Sequence, residues 1–142
     1  MDFFDRQTIA EWKSLGYYYL LDENLKQWWI MGSRVGLSKF LEDIFKYSND
    51  SSNEKISEHI HLGPHQYLKI MTLHRPIIDE QCIGGSLTDL KQFKTIIQQK
   101  LSAASIGEVF DVGQEYDSGG NYLIKFFVMG DNFDPSSIEF SK

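Results

Sequence analysis

Two stretches of the chain repeat one another at a constant separation. Ile30-Met31-Gly32-Ser33 is followed by Leu37, Phe40 and Ile44, and Ile83-Gly84-Gly85-Ser86 is followed by Leu90, Phe93 and Ile97, every matched pair standing 53 residues apart. Each copy puts Gly-Ser at the exit of an apolar run and then repeats large apolar side chains at helical spacing. The Gly-Ser step suits a tight turn and an N-cap, and the spacing that follows gives a helix with one wide apolar stripe. Both copies therefore encode strand, tight turn, amphipathic helix, strand. A helix apolar along one stripe has to bury it, and the flanking strands offer a surface. The expected fold class is α+β: a mainly antiparallel sheet carrying two long amphipathic helices, near 33–47 and 86–102, on one face, through duplication of a strand-helix unit.

The remaining segments fit around these two units. Asp5 reads as the cap of a helix that runs to Leu15 and stops at Gly16. Residues 17–22 and 25–31 form aromatic and β-branched runs across the polar Glu23-Asn24, the pattern of a hairpin. Segments 59–62 and 67–73 read as strands around Gly63-Pro64, 77–83 as one strand opened by Pro76, and 109–112 and 122–129 as a closing hairpin. Ser86 and Asp89 are spaced as a short-armed capping box. Residues 47–55 are polar and are expected to form a mobile surface loop, and the polar tail 131–142 to fray. A chain of 142 residues suits one domain, 1–142.

Composition narrows the partners. With 14 Lys and Arg against 20 Asp and Glu, the net charge is −6, so a phosphate backbone is a disfavoured ligand. No apolar run approaches the roughly 18 residues of a membrane span, and no secretory leader is recognisable. The sole cysteine, Cys82, excludes an internal disulfide framework and suits a reducing cytoplasm.

Few residues carry chemistry. His59 and His61 alternate around Ile60, so on a strand both imidazoles project from one face, as two ligands of a metal would. His65, His74, Asp79 or Cys82 could complete such a site only by fold geometry, so neither metal nor cofactor is expected. Gly84-Gly85-Ser86 could cradle an anion at a helix start, but a turn and N-cap explain it without the lysine or glycine pattern of a phosphate loop. Cys82 reads as a buried strand residue. No nucleophile, acid-base or metalloprotease motif is present, so no catalytic residue is assigned and an enzyme is not expected. Glu115, Tyr116, Asp117 and Tyr122 instead gather carboxylates and aromatic rings near one hairpin end, material suited to a basic protein partner.

The Gly-Ser-x-x-Gly-Leu start at 32–37, the Glu58-His59-Ile60-His61-Leu62 strand and the turn and helix from Ile83 to Leu90 together resemble small bacterial immunity proteins of polymorphic toxin systems, among them the immunity protein 32 type. The likeness spans about 28–101. It implies a cytoplasmic α+β protein, without cofactor or catalytic residues, that binds and neutralises a cognate toxin domain. No toxin-contacting residue is carried over. Two other readings fit the same residues: a small-molecule or metal-dependent enzyme centred on His59 and His61, and an adaptor domain that self-associates through an exposed strand. Oligomeric state and toxin identity stay open at this level.

Overall fold

The computed structural model describes residues 2–140. Helix α1 (Phe3–Leu15) leads into a hairpin of β1 (Tyr17–Asp22) and β2 (Gln27–Gly32), then α2 (Arg34–Ser48). A single 3-10 turn (Ser51–Glu54) precedes a second hairpin, β3 (His59–Leu62) and β4 (Leu68–Thr72). The order then recurs: β5 (Ile77–Ile78), β6 (Cys82–Gly85), α3 (Leu87–Ala103), β7 (Val109–Val112) and β8 (Leu123–Val128), closed by the short α4 (Ser137–Phe140).

The α+β class holds, and the strands fall into two four-stranded sheets rather than one, in the orders β1-β2-β8-β7 and β3-β4-β6-β5. Within each hairpin the pairing is antiparallel, but β2 runs parallel to β8 and β4 parallel to β6. Each sheet therefore takes one hairpin from each half of the chain. Exchanging the halves maps β1-β2-β8-β7 onto β5-β6-β4-β3, a pseudo-twofold topology that realises the repeat. The correspondence extends to single bonds. Met129 N–H donates to Gly32 O at 2.8 Å as Leu73 N–H does to Gly85 O at 2.9 Å, and Gly107 N–H to Val128 O at 2.7 Å as Ser57 N–H to Thr72 O at 2.8 Å.

Ser33 and Ser86 cap α2 and α3 in the same way, each accepting from the amide three residues on. At α3 the box is complete, because Asp89 returns a bond to the Ser86 amide at 3.0 Å. That carboxylate takes up the Ser86 amide at the helix start. The helices pack on one another, α2 against β1 and β2 and α3 against β6 and β7. Arg34 in the first turn of α2 donates to Leu101 O at 2.8 Å, which also accepts from the Ala104 amide, and to Ala104 O, tying the start of α2 to the end of α3. One apolar cluster, with Phe40, Phe93, Trp12, Trp28 and Phe126 at its centre, joins both sheets and all three long helices. Helix α1 crosses α2 at Gly36, where a Cβ would run into the Gly16 carbonyl, and Gly16 itself ends α1 at φ 92°.

Four expectations change. Helix α1 begins at Phe3, capped by Asp2 rather than Asp5. Residues 77–83 are two short strands, because Asp79 Oδ1 accepts from the amides of Gln81 and Cys82 at 2.9 Å each and turns the chain there. The polar 47–55 segment makes definite contacts: Tyr47, one residue before the end of α2, is buried with its hydroxyl bonded to Glu58 O at 2.6 Å and Thr72 Oγ1 at 2.7 Å, and Asn53 donates to Tyr47 O at 2.9 Å and accepts from Thr72 Oγ1 at 2.6 Å. The tail is anchored as well. Pro135 and Ser136 are buried, and Glu139 bonds both Trp12 and His65. The last two residues of the expected tail lie outside the described ones.

Candidate aromatic cleft beside strand β1

A concavity of about 770 Å³ runs along the outer edge of β1. Five consecutive residues of that strand, Tyr18 to Asp22, form one wall. They do so because β1 ends its sheet and has no neighbour on that side. Trp12 of α1 closes one end, its ring 4.5 Å from that of Tyr18. The opposite wall belongs to the other sheet: His65 and Tyr67 from the β3–β4 connection, stacked at 5.6 Å and 21°, and Glu80 from the β5–β6 turn. Tyr19 holds the walls in register. Its hydroxyl donates to Leu62 O and accepts from the Tyr67 amide at 3.1 Å. Trp28 does the same further along, its indole N–H donating to Asp79 O at 2.7 Å.

The cleft is aromatic inside and acidic at its rim. Asp22, Glu23 and Glu80 line it, and among the described residues none of the three is in an ion pair. Asp22 accepts from the Leu25 amide at 3.0 Å, whereas Glu23 and Glu80 have no hydrogen-bond partner among the described residues. Among the described residues no Lys or Arg lines the cleft. Glu139 lies just outside it, accepting from Trp12 Nε1 at 2.5 Å and facing His65 Nε2 at 2.7 Å. Partial burial and the Glu139 charge push the Tyr18 hydroxyl up from its ordinary range. Desolvation and the charges of Glu80, Glu23 and Asp79 push the Tyr122 hydroxyl up from its ordinary range.

None of the four partner-binding candidates, Glu115, Tyr116, Asp117 and Tyr122, lines this cleft. Tyr116 is 7% exposed, its ring packs on Phe93 at 4.8 Å, and its hydroxyl donates to Gly84 O at 2.6 Å. Asp117 is equally buried and accepts from the Ile78 amide at 3.0 Å. Both are corrections: these side chains join the sheets instead of facing a partner. Glu115 is exposed but engaged, bound to Lys100 at 2.6 Å. Although partial burial works against ionisation, the Gly113 amide and Lys100 hold its carboxyl below the usual range.

His59 and His61 do project together from β3, with ring centroids 5.0 Å apart. Each Nδ1 faces a backbone carbonyl, Ser57 O at 2.9 Å and Gln66 O at 3.1 Å. Among the described residues no cluster of three His, Cys, Asp or Glu is arranged to hold a metal ion. Cys82 is buried, and desolvation together with the neighbouring Asp79 pushes its thiol up to about 12, far from a reactive thiolate.

The cleft as a whole is not legible in the sequence because its walls come from four separate segments. The legible signal was the Tyr17-to-Leu21 run, unusually aromatic for an edge strand. No helix among the described residues is long and apolar enough to cross a membrane. Comparison with protein-family profiles, curated proteins and solved structures finds no match for this chain.

Proposed function

We propose that this protein neutralises a cognate bacterial toxin domain in the cytoplasm by binding it, without turnover, and that the aromatic cleft beside β1 is the surface it uses. The carrying observation is the pairing of an open aromatic concavity with Asp22, Glu23 and Glu80, carboxylates without ion-pair partners among the described residues. Buried aromatic anchors within a charged rim are the usual anatomy of a tight, selective protein interface. The overall charge of −6 adds long-range attraction for a basic toxin. The resemblance of segments 32–37, 58–62 and 83–90 to immunity proteins points the same way.

The test is protection of cells that express the toxin gene adjacent to this one. Protection by the native protein, with a stable complex recovered and with both lost in the Tyr67→Ala, Glu80→Gln double variant, is the expected result. Protection without a complex means the protein reverses the toxin's effect chemically, and the binding reading fails. Protection retained by the double variant moves the interface away from the cleft.

A further inference from the structure

Exposed sheet edges attract foreign strands, and folded proteins blunt them with short length, charge, proline or a covering segment. Three of the four edges here are treated in that way. Strand β5 has two residues, and the Ile78 amide is occupied by Asp117 Oδ2 at 3.0 Å. Strands β3 and β7 have four residues each and carry His59, His61 and Asp111. Strand β1 is the exception: six residues, Tyr-Tyr-Tyr-Leu-Leu-Asp, with no charge before its last position.

The pseudo-twofold makes the contrast specific. Tyr19 pairs with Ile30 as Ile78 pairs with Ile83, so Tyr19 and Ile78 hold equivalent positions. The Ile78 amide turns away from β6 towards Asp117. By the same register the Tyr19 amide turns away from β2, together with those of Tyr17 and Leu21. Among the described residues no group outside the sheet accepts from these three. One half of the molecule caps this edge with its own loop, and the other leaves it open along the wall of a cleft, from Tyr18 to Asp22.

We propose that the cleft takes an extended segment of the partner, which adds to the free edge of β1 as a further strand and brings a Lys or Arg side chain within reach of Glu23 and Glu80. This rests on reading the cleft as the partner-binding surface, and it specifies how the partner enters. In strand addition the main-chain bonds give affinity and alternate side chains give selectivity. Here the exposed Tyr67 and half-buried Tyr18 offer aromatic contact, and the unpaired carboxylates select a basic segment over an acidic one.

The probe is an end-capped peptide, Thr-Val-Arg-Val-Arg-Val-Arg-Val-Thr, titrated into the intact protein while amide hydrogen exchange is followed residue by residue by NMR. Two companion peptides carry citrulline in place of arginine, or N-methyl groups on alternate amides. The expected result is exchange slowed roughly tenfold at Tyr17, Tyr19 and Leu21 but not on β3 or β7. Citrulline should weaken the effect, and N-methylation of the edge-facing amides should abolish it. Shifts at Tyr67 and Trp12 without protection of β1 overturn strand addition while leaving the cleft as a binding surface. Protection at β3 or β7 instead, or no perturbation anywhere, also overturns it. The cell-protection assay then decides separately whether the cleft reading survives.

Discussion

Asp117 closes the β7–β8 connection onto the opposite sheet, with one carboxylate oxygen on the Ile78 amide and Gly120 so close that a Cβ there would clash with the carboxylate. Removing the acceptor leaves a buried N–H unpaired, so Asp117→Ala should lower stability by about 1–3 kcal/mol, with Asp117→Asn losing less, as denaturant midpoints will show. Asp43 makes the opposite case. Burial raises its carboxyl above the usual aspartate range, although the Tyr17 hydroxyl at 3.1 Å and Lys46 oppose the rise. Because the folded chain then holds this proton more tightly than the unfolded chain, the contribution is fully present below the unfolded value and is lost as pH rises through the folded one. Ionised Asp43 is therefore a cost at neutral pH. Asp43→Asn, which can still accept from Tyr17, should stabilise the protein at neutral pH and give no gain below about pH 3.9, where the aspartate is protonated in both states. Sequence identifies such residues as acidic or aromatic but not which wall they meet. Tyr116 and Asp117 look like surface material from 113–122 alone, and only their contacts with Gly84 and Ile78, distant in sequence, make them structural.

At the scale of elements, the helices were legible because a stripe of large apolar residues at helical spacing has one solution in water. Phe40 and Phe93 occupy matched positions in α2 and α3, and both are fully buried. Phe40→Ala and Phe93→Ala should each cost about 3–5 kcal/mol, since the surrounding packing cannot collapse freely into the space left. A loss below about 1 kcal/mol at both would contradict the stripe assignment. Urea unfolding of the two variants decides it. Strand pairing was less legible. Periodicity of two says that a segment is extended but names no neighbour, so nothing in 27–32 or 123–128 announced that these strands run side by side and parallel. The single strand expected at 77–83 failed for a local reason, because the Asp79 side chain stabilises a turn that hydrophobicity alone reads through.

For the whole molecule, the repeat in the sequence became two interlocked halves, each sheet requiring a hairpin from both. The halves share one core and bridge each other through parallel strand pairs. Their differences carry the functional argument. Around the first half, α1 supplies Trp12, α4 supplies Glu139, and the β1 edge is left open, whereas the second half covers its equivalent edge with Asp117. None of this asymmetry was readable from the matched positions, since it lies in the segments that the repeat does not include. The most direct measurement is the association kinetics of this protein with the proposed toxin partner, at low and high salt, for the native chain and the Glu23→Gln, Glu80→Gln double variant. The expected result is association slowed roughly tenfold in the variant, a flatter salt dependence and an unchanged melting temperature. A complex that forms at the native rate and with native salt dependence in the double variant would contradict it.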